Sequence, residues 1–289
     1  MKTVEYWLAR FVLATLSVTS LSAANALARG YVRLLDLALP RLRRTALKNL
    51  EMAGFAGRER ITTGVFDSVA RLVVTFARFP QITRANVAEW IRYEGLENFQ
   101  QAQARGKGVL VATGHFGNWE LSAFAHAYLV APMHIVVRPI DNPRIDRLVE
   151  SRRELSGNRA IAKKDAARGI VRALRAGDAV GVLIDQNTTP DQGVFIDFFG
   201  VKACAGSAFV KLAQHSGAAV VPGYALWSDK ERRYVLHFEP AVEMTGDVQQ
   251  DTQRVHARLE AAIRKNPDQW LWIHRRWKTR PPGEGPIYR

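Results

Sequence analysis

Hydrophobic and polar positions follow two different patterns along the chain, and the change falls near residue 80. Before it, apolar residues recur at helical spacing and predict helices over residues 42–52 and 58–79, the second ended by Pro80. Beyond it, short apolar runs bounded by turn residues alternate with helical stretches. The pattern therefore predicts a helical amino-terminal region, 1–80, followed by one unit, 81–289, that no clear linker divides.

The second region contains the pattern of an α/β protein. Strands are predicted at residues 90–95, 108–114, 133–139, 179–185, 218–226 and 232–240. Helices are predicted at residues 95–105, from the end of the second strand to about 129, and at 142–156, 165–176, 206–216 and 250–265. Strands alternating with helices indicate an α/β fold with a mixed central sheet flanked by helices.

The amino-terminal segment raises a question of location. Residues 11–28 carry no charge, but the run is shorter than the ~20 apolar residues of a membrane span and contains Ser, Thr and Asn. Three interpretations fit it: a membrane-associated helix, a buried helix, or a cleaved secretory signal ending near residues 26–28. Several arginines follow directly, and they favour the first interpretation because cations attract anionic lipid.

Charge and cysteine content narrow the possible partners and cofactors. The chain has 41 basic and 27 acidic residues, a net charge of +14, which indicates an acidic partner: nucleic acid, an anionic membrane, an acidic protein or a phosphorylated substrate. The single cysteine, Cys204, excludes an internal disulfide, and no Cys/His cluster has zinc-ligand spacing. We therefore expect neither a metal nor another cofactor.

Polar side chains follow three predicted strands at the point where each strand ends. They are His115, Arg138 and the pair Asp185-Gln186. In open α/β sheets the chemistry collects beyond the carboxyl ends of the strands. We expect these side chains to lie at one edge of the sheet.

The stretch "TGHFGNWE" joins a predicted strand to a helix through residues suited to base catalysis. Gly114 and Gly117 permit a sharp turn, and Asn118 is suited to cap the helix. Glu120, in the first helical turn, is expected to accept a hydrogen bond from one nitrogen of His115 and leave the other free as a base. The competing interpretation is a pair that only ties the loop together.

The wider sequence resembles a known family. The His-x4-Glu spacing is that of the glycerolipid acyltransferase superfamily. Four further stretches resemble its bacterial lipid A biosynthesis members, the late lauroyl and myristoyl transferases; they are residues 46–55, 167–200, 210–222 and 269–288. The carboxy-terminal "WIHRRWKTRP" is the most specific of these matches.

The resemblance implies a glycerolipid acyltransferase-like fold and an O-acyltransferase without an acyl-enzyme. His115 would take the proton from a hydroxyl of a lipid A precursor while Glu120 orients it, and the hydroxyl would attack the thioester of acyl carrier protein or coenzyme A. Backbone N–H groups around Gly117 and Asn118, or a nearby arginine, would stabilise the oxyanion. A lysophospholipid or another glycolipid remains an alternative acceptor.

Substrate contacts are expected from further polar side chains. They are Arg138, Arg153, Lys164, Asp185, Gln186 and Arg275. Arg138 matches the position where the superfamily binds substrate phosphate, and guanidinium geometry suits that role. Arg153 and Lys164 lie in a basic segment suited to phosphates, whereas Asp185 is suited to align an arginine or accept a sugar hydroxyl.

The expected partners are acyl carrier protein, a phosphorylated glycolipid acceptor and the cytoplasmic face of the bacterial inner membrane. Each of these is acidic and complements the basic chain. The mixture of Trp and basic residues over 269–281 also suits single-stranded nucleic acid, so a non-catalytic membrane- or nucleic-acid-binding protein is the competing hypothesis. A binding module needs neither His115 nor Glu120, and we therefore expect no nucleic-acid partner.

Overall fold

A computed structural model describes residues 2–162 and 166–288, and its centre is a seven-stranded sheet. The strands of the described chain are β1 (Ile91–Glu94), β2 (Val109–Thr113), β3 (His134–Val137), β4 (Arg159–Ala162), β5 (Ala179–Leu183), β6 (Gly193–Phe198), β7 (Val201–Gly206), β8 (Ala219–Ser228) and β9 (Arg233–Phe238). The sheet order is β1-β9-β8-β2-β5-β3-β4, with all pairs parallel except β8 with β9. The prediction of a mixed sheet flanked by helices is confirmed.

Three strands of the structure were not predicted. β4 is a four-residue edge strand, too short to show a pattern. β6 and β7 form a separate hairpin whose two turn residues, Phe199 and Gly200, both have positive φ. Such a turn is usually signalled by Asn-Gly or Asp-Gly, so phenylalanine at the first position hides it.

Helices cover both faces of the sheet. They are α1 (Lys2–Val18), α2 (Leu21–Ala38), α3 (Pro40–Met52), α4 (Arg58–Ala77), α5 (Val87–Trp90), α6 (Leu96–Gln103), α7 (Trp119–Leu129), α8 (Pro143–Glu154), α9 (Ala166–Arg175), α10 (Ala208–Ser216) and α11 (Val248–Lys265). Two short 3₁₀ turns, Phe79–Gln81 and Pro267–Gln269, join them.

The uncharged segment 11–28 is divided between two helices. The break lies at Thr19 and Ser20, where the Ser20 hydroxyl caps α2 by accepting from the Ala23 N–H. Among the described residues, no helix combines the length and apolarity needed to cross a bilayer. Membrane association of this region stays a prediction.

The helices α3 and α4 share a core with the sheet. Leu50 and Val65 belong to the same buried cluster as Trp270 and Trp272. Buried Asn49 ties α3 to the carboxy-terminal segment, since its amide donates to the carbonyl oxygens of Trp272 (2.7 Å) and His274 (2.8 Å). The functional division at residue 80 stays a prediction, whereas packing is continuous across it.

We expect Asn49→Ala to lower the free energy of unfolding by about 3 kcal/mol, because two carbonyl groups lose their donors inside the protein. Urea denaturation followed by circular dichroism measures the change. Thr63→Ala on exposed α4 surface removes a helix-surface hydrogen bond and should stay within about 0.5 kcal/mol of wild type. Equal effects of the two substitutions would contradict a structural role for Asn49.

Candidate active site

The register of β2 against β5 brings two polar side chains together. Thr113 lies beside Leu183 at the end of this parallel pair, and the Ile184 N–H extends the ladder to the Thr113 carbonyl at 2.9 Å. His115 and Asp185 each follow two residues later, on adjacent strands. Their proximity is therefore a direct consequence of strand register.

Asp185 is the residue that holds His115. Its Oδ1 lies 2.9 Å from His115 Nδ1, and its Oδ2 accepts from the His115 backbone N–H (2.8 Å) and from Trp270 Nε1 (2.9 Å). The carboxylate is buried, with Asp185 only 3% exposed. A Cβ on Gly114 would come within 3.1 Å of this carboxyl group, so the close approach favours glycine there.

The two side chains form an electrostatically coupled pair. Burial lowers the pKa of His115, but the charge and hydrogen bond of Asp185 outweigh it and raise that pKa above its ordinary value. Burial raises the pKa of Asp185, but His115 and Trp270 together hold it well below its usual range. An ionised carboxylate only accepts hydrogen bonds, so neutral His115 carries its proton on Nδ1 and presents Nε2 as the base.

Glu120 has a different partner from the one expected. Its carboxylate forms a two-point ion pair with Arg153 of α8, through Nε at 2.8 Å and through Nη2. Within the described residues no hydrogen bond joins Glu120 to His115, so the predicted contact is wrong. The reason is that Asp185 already occupies Nδ1, while Glu120 in the first turn of α7 faces α8.

The backbone of the turn is also engaged differently from expectation. The Gly117 N–H donates to the Gln269 carbonyl and the Asn118 N–H to the Ala225 carbonyl, both at 2.8 Å. These two amides are therefore not free to stabilise an oxyanion, and that prediction is corrected. Gly117 itself is required, since its φ is +61° and a Cβ would lie 2.0 Å from the Ala225 oxygen.

Asn118 is confirmed as the cap of α7. Its side-chain Oδ1 accepts from the Leu121 N–H at 2.9 Å. The first two amides of the helix, those of Trp119 and Glu120, have no acceptor within the helix. This end of the helix is close to His115, whose ring lies 5.0 Å from that of Trp119.

An apolar pocket opens next to this turn. Its empty space of about 720 Å³ includes open solvent, and the room inside it for the centre of a water molecule is about 70 Å³. Trp119 and the Glu120–Arg153 pair line it together with a mainly apolar set: Phe79, Val111, Phe124, Met133, Ile135, Gly181, Leu183 and Phe238. His115 lies outside this lining; together with Trp119, which lines both, it lines a smaller neighbouring pocket.

Other predicted site residues lie farther from the pair or on exposed surface. Arg138 and Gln186 are exposed just beyond the ends of β3 and β5. Arg275 is exposed, with its guanidinium 5.8 Å from the Tyr288 ring. Lys164 lies outside the described residues. Within residues 2–162 and 166–288, no cluster of three His, Cys, Asp or Glu side chains is arranged to hold a metal ion.

Sequence reasoning missed two residues of this region. Trp270 has no individual role in the prediction from sequence, although a buried indole N–H needs an acceptor, and here that acceptor is Asp185. Arg276, not Arg275, is the buried arginine: its Nη1 donates to the Cys204 carbonyl at 2.7 Å, and burial lowers its pKa to about 10. Adjacent arginines cannot be assigned to core or surface from an irregular segment.

Comparison with known proteins places this chain in a family. A family model described as "Bacterial lipid A biosynthesis acyltransferase" matches residues 1–279. The chain is 31% identical to the lipid A biosynthesis palmitoleoyltransferase of Escherichia coli (strain K12), over 98% of this chain and 95% of that protein. It is 30% identical to the lauroyltransferase of the same organism, over 68% of this chain and 65% of that protein. It is 24% identical to the lipid A biosynthesis myristoyltransferase of Escherichia coli (strain K12), over 86% of this chain and 78% of that protein.

These relatives are named for acyl transfer in lipid A biosynthesis, and the match extends over nearly the whole chain. The protein is an acyltransferase that belongs to the bacterial lipid A biosynthesis acyltransferase family.

Proposed function

We propose that this enzyme transfers a fatty acyl chain from the thioester of acyl carrier protein, or of coenzyme A, to a hydroxyl of a lipid A precursor. His115 is the general base, and no acyl-enzyme forms. The pair formed by buried Asp185 and half-buried His115, next to an apolar pocket, is the observation that carries this proposal. A purely binding protein, the competing hypothesis, would have no use for this pair.

The proton moves between the acceptor hydroxyl and His115 Nε2. As that oxygen attacks the thioester carbon, its proton passes to Nε2, and Asp185 stabilises the imidazolium that forms. Collapse of the tetrahedral intermediate breaks the carbon–sulfur bond. The departing thiolate takes the proton back from His115, which restores the neutral base.

The amides of Trp119 and Glu120 are proposed to stabilise the oxyanion. They are the first two of α7, the positive end of the helix dipole adds to their effect, and the Leu121 amide behind them is already bonded to Asn118. The Glu120–Arg153 pair fixes this first turn against α8. Glu120 and Arg153 therefore act on the position of the donors.

The apolar pocket is proposed to hold the acyl chain. It begins beside Trp119 and is lined by aliphatic and aromatic side chains on the α7 face of the sheet. Arg138 and Gln186, exposed at the same sheet edge, are suited to the phosphate and sugar groups of the acceptor. These assignments give the hydrocarbon and the polar head of the substrates different surfaces.

We further propose that α1 and α2 lie on the cytoplasmic face of the inner membrane. The apolar side chains of α1 that face outward include Val4, Trp7, Leu8, Phe11 and Val18, and several exceed half exposure. Exposed arginines follow on α2 and α3. This combination suits helices that bury one face at the lipid surface.

Replacement of His115 by alanine should lower kcat by about 10²–10⁴-fold, since general-base catalysis is lost. The assay follows acyl transfer from labelled acyl carrier protein to a lipid A precursor by mass spectrometry. His134→Ala is the matched control, because His134 pairs with Asp178 at 3.0 Å away from the site and should retain activity. Full activity of His115→Ala would overturn the catalytic assignment.

Asp185→Asn should move the acid limb of the kcat/KM profile to lower pH and reduce the plateau by at least about tenfold. Only neutral His115 is a base, so a raised pKa places the wild-type limb above pH 6.5, and removing the carboxylate charge lowers that pKa. Glu120→Gln should shift the limb less, since its charge contributes least among the causes. A larger shift in Glu120→Gln than in Asp185→Asn would restore the originally expected His–Glu arrangement.

The double substitution Trp7→Ser, Phe11→Ser should reduce binding to vesicles that contain anionic phospholipid by about tenfold or more, because two large apolar side chains leave the contact. Vesicle flotation measures it. Leu155→Ser, which changes an exposed leucine at the end of α8, is the control. Unchanged flotation of the double variant would argue against attachment through α1.

A further inference from the structure

A groove runs between α2, α4 and the turn that joins β8 to β9. Two adjoining cavities form it, with about 1070 and 660 Å³ of empty space that includes open solvent. The two cavities share five of their lining residues, which are Leu21, Asn25, Arg71, Trp227 and Arg232. The groove shares no lining residue with the acyl pocket.

Three arginines of the larger cavity have no carboxylate partner in the described chain, whereas in the smaller cavity Arg233 pairs with Glu231 at 3.1 Å and Glu89 also lines the wall. Arg29, Arg71 and Arg232 line its larger cavity, and none of them forms an ion pair with a described residue. Asp229 also lines it, but its carboxylate accepts from Trp227 Nε1 at 2.8 Å. The groove thus presents guanidinium groups that an anion can neutralise.

Two buried polar atoms beside the groove have no hydrogen-bond partner among the described residues. One is Nε of Arg71, whose guanidinium lies 5.4 Å from the centre of the Trp227 ring. The other is the hydroxyl of Tyr234, a residue that is 2% exposed and lines the smaller cavity; the side chains of Asn118 and Thr75 are its polar neighbours inside the protein. Buried polar groups are nearly always satisfied, so the unpaired Nε of Arg71 at this cavity indicates a missing acceptor.

The position of the groove relates it to both the site and the proposed membrane face. β8 is parallel to β2, so Trp227 near its carboxyl end lies at the same sheet edge as His115. The backbone N–H of Trp227 donates to the side-chain Oε1 of Gln269 at 2.8 Å. The backbone carbonyl of Gln269 in turn accepts from the Gly117 N–H in the catalytic turn. On its other side the groove is bounded by Leu21 of α2.

We propose that this groove binds the phosphate ester of a lipid head group. Arg71 and Arg232 hold the phosphate oxygens, for which guanidinium groups have matched geometry. Leu21 of α2 contacts the first methylene groups of the lipid's acyl chain. Phosphate binding in this groove does not depend on the proposed acyl transfer. Only the assignment of that phosphate to the acyl acceptor rests on the proposed function.

Isothermal titration calorimetry of the full chain with dihexanoyl phosphatidic acid, kept below its micelle concentration, tests the proposal. Arg71→Gln and Arg232→Gln should each weaken binding about tenfold, because each loses a charge-assisted contact. Arg175→Gln, an exposed arginine at the end of α9, should bind like wild type, and dihexanoylglycerol, which lacks the phosphate, should not bind. Arg232 lies in an exposed turn, so its variant decides the result if Arg71→Gln does not fold.

Kinetics then distinguish the two sources of phosphate. A raised KM with unchanged kcat in Arg232→Gln, seen with a phosphorylated lipid A precursor but not with its dephosphorylated form, assigns the groove to the acceptor. Weakened phosphatidic acid binding with an unchanged KM assigns it to a membrane phospholipid.

Two negative results have different meanings. If wild type transfers no acyl chain but the variants lose phosphatidic acid binding, the proposed function fails and the groove stands. If Arg71→Gln and Arg232→Gln both bind phosphatidic acid like wild type, or wild type does not bind it at all, the groove proposal is overturned.

Discussion

The hydrogen bond between His115 and Asp185 is the interaction on which the rest of the site depends. It exists because β2 and β5 are parallel neighbours in a register that places their ends side by side. Trp270 and the His115 backbone N–H complete the coordination of the carboxylate, and Gly114 leaves room for it. Sheet register, a carboxy-terminal indole and one glycine therefore determine how basic His115 is.

With Nδ1 of His115 occupied, the roles of the neighbouring groups change. Glu120 binds Arg153 and braces the first turn of α7, and the amides of Gly117 and Asn118 secure the turn to Gln269 and Ala225. The turn is thereby fixed on three sides: by α8, by β8 and by the carboxy-terminal segment. A rigidly held turn suits a base that must meet two large substrates in one geometry.

The sequence allowed the order of helices and core strands to be predicted, because strands buried on both faces read as continuous apolar runs. It did not reveal β4 or the β6–β7 hairpin, where the strands are short or the turn is atypical. His115 and Asp185 were both identified as strand-end residues, but their pairing was not, because strand neighbours and register are set by tertiary packing. The sequence pointed to Glu120 as the partner of His115 because it is the nearest carboxylate along the chain. The carboxylate that contacts His115 is that of Asp185, which lies 70 residues away in sequence.

The pKa of His115 is the most direct test of this account. It can be measured by following the imidazole nitrogens by NMR during a pH titration, with His115→Gln used to assign the signal. We expect a wild-type pKa above 6.5, a clear decrease in Asp185→Asn and a smaller decrease in Glu120→Gln. A wild-type pKa at or below 6.5, or a larger decrease in Glu120→Gln, would contradict the central role of Asp185.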